Sequence, residues 1–218
     1  MSSDFSGDSL HDCVANVPFW WHSIDLGEGV VTPGWKSADL LARELEQLRL
    51  PDLTGRSVLD IGAWDGWFSF QAERLGAARV VSLDHYVWSR DWGTKKAPAT
   101  PKPGSSLLAD HDPDVSQLTE LPGKRGFDLA HSALKSKVET VVADFMQADI
   151  KALGQFDIVL YLGVLYHIKH PLLALERLVQ VTRDFAMIET EAIFVPGFEE
   201  QALCEFFEAN ELNNDPSN

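Results

Sequence analysis

The chain has 218 residues, 45% of them hydrophobic and 10% aromatic, and 18 Lys and Arg against 33 Asp and Glu leave a net charge of −15. That length suits one domain, or one domain with an elaboration, and the ordinary apolar share excludes wholesale disorder. No run reaches the roughly 18 apolar residues of a membrane span, and so negative a field disfavours a whole-surface nucleic-acid binder.

Met1 to Asp8 has neither the basic start nor the apolar stretch of a signal peptide. Two cysteines, Cys13 and Cys204, are too few for a disulfide framework or a four-ligand zinc site. A cytoplasmic location and no metal are the expectations. Residues 1–50 read as an arm and a helix. The arm is rich in aromatics, Phe19-Trp20-Trp21-His22 and then Pro33-Gly34-Trp35, which either pack on a core or line a ligand pocket. Ser37 is the expected N-cap of a helix with Leu41, Leu45 and Leu48 on one face, stopped by Pro51.

Residues 51–195 alternate short apolar runs with helical patterns. Strands are expected at 57–61, 79–84, 138–143, 156–162 and 185–189. Asp65 is expected to cap a helix carrying Trp67, Phe68, Ala72 and Leu75, with Gly76 closing it. Pro171 starts another through Leu172, Leu175, Leu178 and Val179. Such alternation predicts an α/β fold, a doubly wound, mostly parallel sheet covered on both faces. The insertion 86–126 interrupts it with a Pro-rich polar stretch that follows a strand's carboxyl end, where open α/β sheets bind ligands. It is either a lid or an idle insertion. Its lysines Lys95, Lys96 and Lys102, with Lys124-Arg125, form either a local basic patch or a solvated loop. Residues 196–218 form a carboxyl-terminal extension.

The strongest chemical signal is Val58-Leu59-Asp60-Ile61-Gly62-Ala63-Trp64-Asp65-Gly66, a strand, a glycine turn and a helix start. Glycine lets the backbone turn tightly and approach a ligand. A dinucleotide's pyrophosphate needs glycine at the middle position, and here that position is Trp64, which argues against an NAD-dependent oxidoreductase. Asp84, 22 positions beyond Gly62 at the end of the second strand, suits a carboxylate accepting from both ribose hydroxyls of an adenosine ligand. Asp144-Phe145 ends the third strand, where the acid could accept from an adenine amino group and the ring could stack on the base.

These motifs resemble the class I S-adenosylmethionine-dependent methyltransferases. The run Phe156 to His167, with Gly163-Val164-Leu165-Tyr166-His167 at its end and then His170-Pro171-Leu172, resembles the branch that includes the bacterial tRNA wobble-uridine (5-oxyacetate) methyl- and carboxymethyltransferases. The likeness spans roughly residues 50–195. It implies a Rossmann-like fold and S-adenosylmethionine, or its carboxylated analogue, as cofactor. Cofactor contacts would come from Gly62, Asp84, Asp144, Phe145, Leu162 and Tyr166, joined by Asp60, Ala63 and His85 from the same motifs. The arm echoes the family in Ile24-Asp25 and Trp35-Lys36. The family continues with a sixth and a seventh strand, so this chain is expected to lack the last two. The exposed edge would be covered by residues 198–218 or by another copy, a possible homo-oligomer.

Methyl transfer from a sulfonium is an in-line displacement that asks the protein to position two reactants and exclude water. His167 is the expected general base, with Tyr166 supporting the sulfonium or substrate; His85 and Glu191 are weaker candidates. Trp20, Trp21, Trp35 and Lys36 from the arm, Tyr86, Trp88 and Trp92 from the insertion, and Glu191 are the expected substrate contacts. They favour a small-molecule O or N acceptor over tRNA, which the charge disfavours. The alternatives are tRNA wobble-uridine methyl or carboxymethyl transfer and a cofactor-binding but catalytically silent protein.

Overall fold

The computed structural model describes residues 9–93, 121–201 and 203. The Pro-rich stretch with Lys95, Lys96 and Lys102, most of the insertion and most of the carboxyl-terminal extension, Cys204 included, lie outside the described residues. Ser9 opens α1 (Leu10–Ala15) by accepting the Asp12 N–H. Ser37 accepts from Leu40 at the start of α2 (Ala38–Leu48), as N-cap hydroxyls do. That helix buries Leu41 and packs Leu45 against the core. It ends at Arg49 rather than Pro51, because Arg49 turns left-handed at φ 47° and donates its N–H to the Glu46 carbonyl; the proline only prevents resumption.

Five strands form one parallel sheet in the order β3-β2-β1-β4-β5. Strands β1 (Ser57–Ile61), β2 (Arg79–Asp84) and β4 (Phe156–Leu162) have the bounds the sequence suggests. β3 (Glu139–Val142) is shorter by one residue at each end. β5 (Thr182–Glu189) starts earlier than expected because α5 (Pro171–Val181) runs straight into it. Leu59 lies between Val81 and Val159, which fixes the register of the three central strands. Successive residues of a strand face opposite layers. Val58, Val80, Ile158 and Leu160 join α2, α3 (Trp67–Arg74) and α4 (Arg125–Leu134) on one side. Leu59, Val81, Val159 and Tyr161 join α5 on the other. Burial on both faces is why these strands read as continuous apolar runs.

The chain leaves β1 for β2 on one side and returns to β4 on the other, so strand order reverses beside β1. Open sheets bind ligands in the crevice at the carboxyl ends there. β3 and β5 are the outer strands among the described residues, and Phe185 and Ile188 of β5 are exposed. No helix among the described residues is long and apolar enough to cross a membrane.

One expectation fails instructively. Asp65 does not cap α3; Gly66, at φ 86°, occupies the N-cap position without a side-chain bond. The Asp65 carboxylate instead reaches back to the arm. Its Oδ2 accepts the N–H groups of Trp21 and His22 at 2.8 and 2.9 Å, and its Oδ1 faces Nδ1 of His22. The arm is thereby fastened to the β1–α3 turn.

Candidate functional site

Gly62 begins the turn after β1 with φ 80°. A Cβ there would sit 2.5 Å from a Val164 methyl on the loop after β4. Glycine is therefore required twice, by the backbone and by the close approach of the two loops. The Gly62 N–H donates to the Leu83 carbonyl at 2.8 Å, tying the turn to β2. Ala63 is buried in the core.

Beneath the turn, Asp60 is buried and accepts from the Ser69 hydroxyl at 2.5 Å, while Ser69 and Ser82 share a further bond. Burial pushes the Asp60 carboxyl up to about 6, against the opposing Ser69 hydrogen bond. Asp84 is 4% exposed. Its Oδ2 accepts the Trp64 N–H at 3.0 Å and its Oδ1 the Val87 N–H at 3.0 Å. Burial raises this carboxyl too, to about 6, although the backbone donors pull the other way. Asp144 is half-buried and caps its own turn, accepting from the Met146 N–H and the Gln147 amide, both at 2.7 Å.

The arm and the turn meet in a column of four indoles. Trp35 stacks on Trp21 (4.9 Å between ring centres), Trp21 on Trp64 (4.8 Å) and Trp64 on Trp92 (5.3 Å), with interplanar angles of 13°, 13° and 24°. Phe19 tilts against Trp21, Trp64 and Trp92. Offset stacks of this spacing suit the aromatic quadrupole. Of the expected substrate contacts, Trp21 and Trp35 thus come together beside the turn, and Trp92 joins them. Trp20 and Trp88 do not: both are buried in the core, Trp20 donating to the Val14 carbonyl and Trp88 to the Trp64 carbonyl. Their indoles serve packing because the arm and the start of the insertion fold inward over α4. Lys36 is held by both oxygens of Glu44 at 2.9 Å. Tyr86 lies under the Arg90 guanidinium, 3.8 Å away.

At the end of β4, a short 3-10 turn (Leu165–His167) places the Tyr166 and His167 rings 4.1 Å apart, both half-buried. The Tyr166 hydroxyl and the Glu189 carboxylate each lie 3.7 Å from the point where a Gly163 Cβ would be. Glu189, on β5 and paired in register with Leu162, was not singled out from the sequence, where it only ends the expected strand 185–189. Glu191 lies past the strand end and is exposed. Leu162 is half-buried against the core, and His85 is buried. Phe145 is also buried, packed on Tyr161 with ring centres 5.7 Å apart, so its ring lies within the core rather than open for stacking on a base. Tyr161 was missed as well. Its hydroxyl is buried with no hydrogen-bond partner among the described residues, and burial together with the Asp144 charge raises its pKa.

The methyltransferase domain family matches residues 36–214. This chain belongs to that family. No curated protein sequence matches the chain. Among solved structures, the domain is similar to the N-terminal domain of EvdMO1 crystallised in the presence of SAH and D-fucose: 18% identity, TM-score 0.53, covering 79% of this chain and 60% of that one. The same EvdMO1 domain with SAH bound gives 17% identity and a TM-score of 0.52 at the same coverage. EvdMO1 itself gives 20% identity and a TM-score of 0.51, with 79% of this chain and 32% of that one covered. The chain thus spans between about a third and three fifths of the solved chains it resembles. This likeness is one of fold: a five-stranded parallel sheet flanked by helices.

An adenosine-bearing ligand on this methyltransferase domain needs a carboxylate at the end of β2 and open backbone beside the β1 turn. The residues fit in kind. Asp84 is such a carboxylate, Gly62 supplies the bare backbone, Asp144 follows β3, and the Tyr161 hydroxyl, unpartnered among the described residues, comes from β4. The seat at Asp84, however, is closed by burial, and each of its oxygens already accepts a backbone N–H.

Proposed function

We propose that the chain is an S-adenosylmethionine-dependent methyltransferase acting on a small-molecule O or N acceptor. The observation that carries this reading is the pairing of a glycine turn and a buried acid, Gly62 and Asp84, at the carboxyl ends of adjacent strands β1 and β2 beside the switch point. The family match supports it, as does the SAH carried by the EvdMO1 domain of similar fold. When bound, the cofactor supplies an electrophilic methyl group on a sulfonium.

In this reading Asp84 accepts the ribose hydroxyls, the Gly62 backbone lies along the methionine part, and Asp144 meets the adenine side. His167 takes the acceptor's proton, and Tyr166 and Glu189 border the same corner. Histidine is the side chain whose ordinary pKa range suits that task at neutral pH. The aromatic arm favours an apolar or aromatic acceptor. The net charge of −15 disfavours a tRNA substrate, whose phosphates it repels.

Calorimetry with SAH, the carboxylated analogue and NAD tests the cofactor. Binding of SAH or the carboxylated analogue, with none of NAD, is the expected result. Salt-sensitive binding to a tRNA anticodon stem would replace the acceptor assignment. A second reading, binding without transfer, is favoured by the closure of Asp84; SAH binding without methyl transfer to any acceptor in a broad screen would select it.

A further inference from the structure

We propose that Trp64 is a latch on the nucleoside seat, a positioning residue that acts through Asp84, so that cofactor entry is coupled to unstacking of the indole column. The inference rests on the cofactor reading above.

Trp64 adopts φ 51°, a left-handed conformation that a bulky side chain rarely takes unless its surroundings hold it there. Three restraints do so. Its N–H donates to Asp84 Oδ2 at 3.0 Å, its carbonyl accepts the Trp88 indole N–H at 2.6 Å, and its ring is clamped between Trp21 and Trp92. The clamp is itself anchored. Asp65 fixes the Trp21 backbone, and the Trp92 indole N–H donates to the Val87 carbonyl at 3.1 Å.

The first of these restraints also ties the residue to the seat. A ribose diol donates its hydroxyls to a carboxylate, and Asp84 is already engaged at both oxygens and almost wholly buried. A carboxylate keeps lone pairs for further donors, but Asp84 is so buried that a diol reaches it only when the Trp64 segment bonded to Oδ2 moves aside. Flipping the Ala63–Trp64 peptide alone would turn a carbonyl towards the carboxylate, so it is the whole residue that moves aside, carrying its indole out of the column. A glycine at this position would turn without cost and would carry no ring to clamp. The closed form thus lowers the fraction of molecules competent to bind and raises the apparent Kd by the same factor.

The test is stopped-flow tryptophan fluorescence and circular dichroism of the full chain, titrated with SAH. The wild-type protein is expected to show a binding phase whose rate saturates with SAH, accompanied by loss of the indole–indole exciton band. Trp64→Gly should bind about tenfold faster and about tenfold tighter, with no such spectral change. Trp92→Ala, which removes the clamp from its more exposed side, should fall between the two and serves if the first variant fails to fold. Equal rates and affinities across these proteins, or wild-type binding with the exciton band unchanged, would overturn the latch. SAH binding to none of them would overturn the cofactor reading and the latch with it.

Discussion

The main-chain N–H of Trp64 and the carboxylate of Asp84 are joined at 3.0 Å across the carboxyl ends of β1 and β2. One contact thereby links the glycine turn, the aromatic column and the acid at the strand end. Replacing Asp84 by Ala would leave the buried N–H groups of Trp64 and Val87 without acceptors. A loss of about 1–3 kcal/mol in urea unfolding is expected, together with loss of SAH binding by calorimetry. Asp84→Asn, which keeps an acceptor oxygen, should recover part of the stability and little of the binding.

Gly62 faces Val164 across the crevice. Gly62→Ala puts a methyl into contact with that side chain and forces alanine to φ 80°, a combined cost of about 2–4 kcal/mol. Adding Val164→Ala should restore the steric share and leave the backbone share. A double variant no more stable than Gly62→Ala would show that the loops do not meet as described.

His22 is buried against Asp65 where the arm docks. His22→Ala strips a buried carboxylate of its side-chain partner but leaves its two N–H donors. The expected destabilisation is about 2 kcal/mol by denaturant titration. Faster proteolytic cleavage within residues 16–36 should accompany it, since Asp65 holds the arm to the turn.

The two buried acids give the stability a definite pH sign. Asp60 and Asp84 are each raised from 3.8 to about 6 by burial. The folded protein therefore binds more protons than the unfolded chain between those values, and stability should fall as pH rises from about 4 to 6 and then level off. Asp157, held at about 2 by bonds from Ser57 and Arg183, acts oppositely, and its contribution is lost as pH drops below 4 towards 2. Asp60→Asn should flatten part of the fall between pH 4 and 6 in thermal melts. An unchanged profile would locate the proton uptake elsewhere.

In the proposed function His167, in the turn after β4, takes the acceptor's proton. His167→Ala should lower methyl transfer by about 10²–10⁴ while leaving SAH affinity within a factor of two or three. Near-normal turnover from pH 6 to 9 would remove it from that role.

Particular residues mark where the sequence was readable. The bounds of β1, β2 and β4 could be drawn because burial on both faces makes a strand one continuous apolar run. Ser37 could be named a cap because an N-terminal hydroxyl acts within three residues. Asp65 misled for the complementary reason: a cap is a local choice, and this carboxylate takes partners 43 and 44 residues away. Trp20, Trp21, Trp35, Trp88 and Trp92 look alike in sequence, yet three join the exposed column and two enter the core. Tyr161 was hidden inside an apolar strand, and only its packing reveals a hydroxyl unpartnered among the described residues.

The order of apolar runs, glycines and strand-end acids was enough to determine a parallel α/β sheet with Gly62, Asp84 and Asp144 along one rim, since periodicity and chain direction act over short distances. Whether that rim stands open was decided only by tertiary structure. Asp84 is buried there, and an arm, a turn and the start of an insertion, far apart in the chain, bring Trp21, Trp64 and Trp92 face to face beside it.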